Sequence, residues 1–413
     1  MPKTVLKPLS RGEPVALAVP ERGARSSAIP LSLYVHWPWC VKKCPYCDFN
    51  SHALNVADDG IGPAESIQAR YVAALQRELM TVAPWAQGRS VQSVFIGGGT
   101  PSLMLPSDVA RLLESVDREI GLSSSAEITL EANPGATEVA RYQDFRAAGV
   151  NRLSIGIQSL DDAKLKRLGR IHSAHQARAA MREAVRVFDN VNFDLMYALP
   201  TESLVDLEQE VNEVVSLGAP HLSFYQLTIE DGTVFAKQLP SHLPDEDLVA
   251  DMSDMVESKL LEAGYEHYEV SGYAQPNRRC HHNLNYWTYG DYLAIGAGAH
   301  AKVTTQQGIY RWKSANAPKR YLEFVEQFAQ AHDEAFWVPD REIPFEFMLN
   351  VLRLLDGVPK TLFTSRTALP ESVVAPIWER LEQQGLLKPG AQLQCTELGR
   401  RFLSDVQEAF LPD

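Results

Sequence analysis

From residue 31 onward, short apolar runs alternate with longer stretches in which apolar residues recur every three to four positions. The runs at 31–36, 92–97, 127–132, 152–158, 192–197 and 222–228 are near-continuously apolar or β-branched, the pattern of strands buried on both faces. Between them, residues 64–82, 107–120, 137–148, 174–188 and 204–217 carry helical spacing. Asp108 and Thr137 stand near helix starts, and Gly121, Gly149 and Gly218 stand just past helix ends. Strand and helix in alternation imply a parallel sheet with right-handed crossovers. A doubly wound sheet and a barrel of βα units both satisfy that order.

The polar residues separate the two. A cysteine-rich loop follows the first strand and Gly97-Gly98-Gly99-Thr100-Pro101 follows the second. Glu131 ends the third, Gln158 ends the fourth, Asp194 lies in the fifth and Gln226 in the sixth. Ligand groups gather at the C-terminal strand ends of parallel α/β folds. Signals from all six strands suit one pocket ringed by a partial (β/α)6 TIM-like barrel, whereas a flat sheet concentrates them at one switch point. The expected α/β barrel spans 31–265, after a flexible N-terminal tail at 1–30. A helix is expected at 245–263. A segment at 266–340 carries Cys280-His281-His282-Asn283-Leu284-Asn285-Tyr286-Trp287 and a glycine-rich run at 295–300. Helices at 345–355 and 373–384, a strand pair within 386–393 and a helix at 398–410 outline a small winged-helix-like α+β domain at 341–413.

Length and composition fit this reading: 413 residues can bury a large core and a smaller one, and 45% hydrophobic with 22% charged residues is ordinary for a globular protein. The formal net charge of −13 argues against nucleic acid held on a broad basic surface. No apolar run reaches the about 18 residues of a membrane span. The longest apolar run of the tail, Val15-Ala16-Leu17-Ala18-Val19, falls short of a signal-peptide core of about 7–15 residues. A cytoplasmic location is the expectation.

Three of the five cysteines, Cys40, Cys44 and Cys47, fall within eight residues with C-x3-C-x2-C spacing, which is no disulfide framework. Three thiolates can hold a [4Fe-4S] cube and leave one iron open. The competing readings are a zinc site with a fourth ligand from His36 or His52, and a chance clustering of cysteines. Gly97–Thr100 lacks the Gly-Lys-Ser/Thr ending of a phosphate loop, yet its glycines let backbone approach a ligand. Glu131 and Asp194 are acids in apolar strands, and buried acids need partners such as a cationic ligand group. Arg170 fits a surface turn equally well. His282 reads either as a satisfied histidine beside a structural Trp or as a haem ligand, with Tyr and Trp to line a porphyrin face.

Taken together, the cysteine motif after a strand, the Gly-Gly-Gly-Thr-Pro turn and Glu131 resemble the radical S-adenosylmethionine superfamily. The resemblance is closest to the branch that contains oxygen-independent coproporphyrinogen III oxidase and its haem-chaperone relatives, and it runs from Tyr34 to the C-terminal domain. It implies a [4Fe-4S] cluster on Cys40, Cys44 and Cys47, whose open iron binds the methionine part of S-adenosylmethionine for cleavage to a 5′-deoxyadenosyl radical. It also implies S-adenosylmethionine contacts from Tyr34, Tyr46, Gly98, Gly99, Thr100, Glu131, Gln158, Arg170 and Asp194. The oxidases carry a further cysteine two residues after the third, where this chain has Phe49. His282-Asn283-x-x-Tyr286-Trp287 matches the H-N-x-x-Y-W haem-binding motif of the chaperones, which implies haem at His282 with Asn283, Tyr286 and Trp287 around it. At 198–203 the chain reads Ala-Leu-Pro-Thr-Glu-Ser where the family reads G-L-P-G-Q-T. A haem chaperone is thus the first expectation. Haem and haem-accepting proteins, respiratory enzymes among them, are its partners, and peripheral membrane association and a homodimer are compatible with it. Oxidative decarboxylation of coproporphyrinogen III is the alternative. A cluster-bearing regulator acting through the winged-helix-like domain is a third reading.

Overall fold

The computed structural model describes residues 13–17, 28–54 and 64–412. Most of the stretch expected as a tail lies outside them. Within it, the Val15 N–H donates to the His332 carbonyl at 2.7 Å.

Six strands follow the expected order: β1 (Leu31–Trp37), β2 (Val91–Gly98), β3 (Leu122–Ala132), β4 (Arg152–Gln158), β5 (Val191–Tyr197) and β6 (His221–Gln226). All pair in parallel with their neighbours in sequence. The crossovers include α1 (Ala64–Val82), α2 (Pro106–Glu119), α3 (Ala174–Val187) and α4 (Leu204–Ser216), with α5 (Glu246–Glu262) after β6. Capping boxes start two of them: Ser173 with Gln176 on α3, and Ser203 with Asp206 on α4. The inner faces of strands and helices, from Leu33 and Val35 to Leu153, Ile155 and Phe193, merge into one buried core.

The sheet is larger than the pattern suggests. The stretch 266–340, expected as a connecting segment, contributes β7 (Glu266–Glu269), β8 (Gly272–Ala274), β9 (Asp291–Ile295), β10 (His300–Thr305), β11 (Gly308–Ser314) and β12 (His332–Trp337). It also forms the short helix α6 (His281–Trp287) and α7 (Pro318–Phe328). The twelve strands run β12-β11-β10-β9-β1-β2-β3-β4-β5-β6-β8-β7. β9 joins β1 in parallel, and the chain then turns through the glycine-rich run into the antiparallel β10–β12. Asp291 anchors that junction, accepting from Arg89 Nη1 at 2.7 Å and Lys302 Nζ at 3.1 Å, all three side chains buried.

Some expected bounds shift. The sixth strand ends at Gln226, and the helix expected at 137–148 breaks into Ala136–Val139 and Tyr142–Ala147. After β12 a second core forms around Phe347, Phe363, Trp378 and Leu393. There the expected strand pair uses a different partner: Gln392–Leu393 pairs with Val358–Pro359, with a single bridge from Leu387 to Cys395. The last helix is two, Glu397–Arg401 and Leu403–Glu408, broken where Phe402 leaves helical geometry at ψ 37°. No described helix is long and apolar enough to cross a membrane.

Candidate functional site

At the C-terminal ends of β1–β6 the chain builds a cavity of about 470 Å³. The cysteine loop forms its roof. Trp39–Cys40 pairs with His52–Ala53, and the Leu54 N–H donates to the Cys40 carbonyl at 2.8 Å. The Phe235 N–H donates to the Pro45 carbonyl at 3.0 Å and ties the loop to the chain after β6. Cys40, Cys44 and Cys47 all line the cavity as free cysteines. Burial, then the neighbouring thiols Cys47 and Cys44, hold the Cys40 thiol above its usual range against a lowering bond from Thr100. The Cys40 thiol so placed resists ionising until a cation compensates it.

The histidines that a closed zinc site would need are engaged elsewhere. The His36 ring bonds the Asn50 carbonyl through Nε2 at 2.9 Å and the Tyr34 hydroxyl through Nδ1 at 3.0 Å, while His52 Nε2 sits 3.2 Å from Asn50 Oδ1. Among the described residues no ready-made group of three or more His, Cys, Asp or Glu ligands stands assembled. Three thiols face the cavity with no histidine beside them among the described residues, and the carboxylates Glu131 and Asp194 on its wall are bonded to the chain, which fits an open-sited cluster better than closed tetrahedral zinc.

The glycine turn after β2 passes directly under this loop. Gly98 has φ +110°, and a Cβ there would lie 2.5 Å from the His36 ring; a Cβ on Gly99 would lie 2.6 Å from the Trp39 carbonyl oxygen. Only glycine fits both positions. The turn is fixed by the Gly99 N–H to Trp37 O and the Thr100 N–H to Trp39 O, at 2.6 and 2.8 Å.

The remaining wall is a set of mutually bonded polar groups. Glu131 accepts the Gly98 N–H at 3.0 Å. Burial, with repulsion from Asp194, raises its pKa to about 7 against that bond. Asp194 is buried too and accepts from Asn192 Nδ2 at 2.8 Å and Ser154 Oγ at 3.1 Å. Arg170 donates to Asn133 Oδ1 at 2.7 Å and to the Gly156 carbonyl at 2.5 Å, and its other nitrogen lies 3.9 Å from Cys44 Sγ. Gln158 takes φ 70°, unusual for a residue with a side chain, and accepts from the Tyr225 hydroxyl at 2.5 Å. Tyr46 and Thr100 complete the expected residues on this cavity. Asn133, Ser154, Gly156, Met196 and Tyr225 line it as well. The period-two spacing of 154, 156 and 158 on β4, and of 194 and 196 on β5, is the signal that could have found three of these positions, Ser154, Gly156 and Met196.

Tyr34 lies elsewhere. It faces a second cavity of about 650 Å³ that shares Lys43, Asp48, Phe49, Ser51, Gly98 and Glu131 with the first. Tyr286, Tyr292, His300 and Lys313 form its far side. Of the expected haem motif only Tyr286 lines it. His282 is 2% exposed, stacked on Phe95 with ring centroids 5.0 Å apart. Its Nδ1 bonds Ser93 Oγ at 3.0 Å and its Nε2 bonds the Tyr286 hydroxyl at 3.1 Å. Burial, then the Arg152 charge, lowers its pKa to about 3. Glu127 holds the start of α6, accepting the His281 and His282 N–H groups at 2.9 and 3.3 Å. Trp287 packs against the second core with Arg353 4.4 Å above its ring, and Asn283 lines neither cavity.

The Radical SAM superfamily profile matches residues 34–214, and the HemN C-terminal domain profile matches 338–402. The heme chaperone HemW of Escherichia coli K12 is 44% identical over 387 residues, 93% of this chain and 99% of its own. The chain belongs to the HemW family of radical SAM proteins. The HemW protein of Haemophilus influenzae is 43% identical over 93% of this chain and 98% of its own. Among solved structures, coproporphyrinogen III oxidase (HemN) from Escherichia coli superposes with a TM-score of 0.77 over 94% of this chain and 91% of that one. At 22% identity that likeness shows the fold alone. The radical SAM barrel with its C-terminal domain is therefore as the sequence implied.

Proposed function

We propose that this protein is a haem chaperone. It carries a [4Fe-4S] cluster on Cys40, Cys44 and Cys47 and S-adenosylmethionine in the first cavity, and it takes haem into the second before passing it to an acceptor protein. The observation that carries this reading is the shared wall: two cavities of different chemistry meet at Phe49, Gly98 and Glu131. When bound, the cluster supplies an electron and an open iron that anchors the methionine end of S-adenosylmethionine. The chain supplies the rest. Gly98 and Gly99 bring backbone up to the ligand, and Glu131 accepts from its amino group once ionised. Asp194, Gln158, Arg170, Thr100 and Tyr46 set the cavity's shape and polarity, and Tyr34 backs Glu131 from the neighbouring cavity. His282, locked between Ser93 and Tyr286, holds Tyr286 in the second cavity's wall. Acceptors, cytoplasmic location and membrane association belong to the same proposal.

Phe49 favours the chaperone reading over the oxidase one. It puts an apolar side chain, 57% exposed, where the two cavities meet, at the position of the oxidases' further cysteine. Anaerobic incubation of the cluster-loaded protein with coproporphyrinogen III and S-adenosylmethionine is the test. Haem binding without protoporphyrinogen formation is expected; turnover to protoporphyrinogen would overturn the proposal.

A further inference from the structure

The imidazoles around the second cavity differ in one respect. His36 and His52 are bonded to Asn50 and its neighbours, and His282 beneath them offers no free nitrogen. His300, the exposed first residue of β10, makes no side-chain hydrogen bond or ion pair among the described residues. It stays neutral through ordinary pH: desolvation, then the Lys313 and Arg311 charges, lower its pKa to about 4. A neutral imidazole keeps a lone pair for a metal.

Its cross-strand neighbour is Lys313, directly opposite on β11. Lys313 also lacks an ion pair among the described residues, although Glu334 stands opposite it on β12. Arg311, by contrast, is committed to Glu346 at 2.8 Å. The other cavity-lining cation, Lys43, donates to the Phe49 carbonyl at 2.9 Å, and the lining acids are Asp48 and Glu131. Tyr286 and Tyr292, edge to face with centroids 4.6 Å apart, and exposed Phe49 supply aromatic surface. A volume of about 650 Å³ falls within the roughly 300–1,000 Å³ of small-molecule sites. An unengaged imidazole beside an unengaged ammonium, among aromatic rings, matches a flat apolar ligand bearing a metal at its centre and carboxylates at its edge.

Resting on the haem reading above, we propose that His300 is the axial ligand to haem in the second cavity, with Lys313 pairing a propionate. Both groups are free to engage and to let go, as a cargo site requires.

The test is anaerobic titration of the full-length protein with haemin, followed by absorbance and by low-temperature electron paramagnetic resonance. His300→Gly is expected to weaken haem by roughly tenfold or more, 1.4 kcal/mol per factor of ten. It should also change the axial-ligand spectrum, and added imidazole should restore both. Lys313→Gln should weaken binding by about threefold with an unchanged ligand spectrum, consistent with a partly exposed ion pair. Wild-type haem binding with unchanged affinity and spectrum in His300→Gly overturns this assignment alone. No haem binding by the wild-type chain overturns the chaperone reading with it.

Discussion

The two cavities share a wall and differ in how their polar groups are spent. In the first, Asp194, Arg170, Thr100 and Gln158 are each bonded to a neighbour, and the glycine turn is pinned to the cysteine loop. In the second, His300 and Lys313 stand across β10 and β11 without hydrogen-bond or ion-pair partners among the described residues. A preorganised wall suits a resident cofactor, since no reorganisation is needed at binding. Unspent ligands suit cargo that must arrive and leave. The first cavity is built by parallel β1–β6; the far wall of the second comes from α6 and β9–β11.

The largest expected effect breaks one cavity and spares the other. Cys44→Ala should abolish bound iron and sulfide, read by metal analysis and by absorbance near the visible cluster bands, because two thiolates do not hold a cube. Haemin affinity should stay within about twofold if the cavities are independent sites, a difference of under 1 kcal/mol. A parallel loss of haem would merge them.

A smaller effect tests the imidazole behind Tyr286 in the second cavity's wall. His282→Ala removes the bonds to Ser93 and Tyr286; Ser93 keeps the Ser32 hydroxyl at 2.7 Å, but the Tyr286 hydroxyl loses its imidazole partner, at a cost of about 1–3 kcal/mol. Urea denaturation should register that loss, while the axial-ligand spectrum of bound haem stays as in the wild type. A changed spectrum would return ligation to His282.

The smallest effect concerns protons. Glu131, raised to about 7 by burial and by Asp194, loses its proton as pH climbs through neutrality, and only the ionised form accepts strongly from an amine. Affinity for S-adenosylmethionine should therefore rise between pH 6 and 8, by at most about tenfold per unit below that pKa. In Glu131→Gln the rise should vanish. Equilibrium dialysis over that range checks both.

Much of the barrel was legible because its strands are buried on both faces: even where polar residues interrupt them, as in Arg152–Gln158, the apolar Leu153, Ile155 and Ile157 recur within a short buried run. β11 is not among the expected strands, although Gly308–Ser314 buries alternate residues Tyr310, Trp312 and Ser314. Its polar alternate residues, Arg311 and Lys313, break the apolar run that marks the barrel strands. A three-thiol site was legible from spacing, since converging thiols sit close in sequence, and the radical SAM likeness came from that motif together with the Gly97–Pro101 turn and Glu131. The second cavity was not. Its parts come from positions 34, 49, 286, 292, 300 and 313, and only the β9–β1 parallel pairing brings them together. Nor does an i, i+4 pair such as His282 and Tyr286 declare which member lines a cavity; the Ser93 hydroxyl on β2 holds the imidazole inward while Tyr286 lines the second cavity.

The central claim is that two ligands sit side by side on separate walls. It is tested most directly by titrating haemin into the cluster-loaded protein with and without saturating S-adenosylmethionine. One haem per chain in both titrations, with S-adenosylmethionine still retained on dialysis, is the expected result. Mutual displacement of the two would contradict the account.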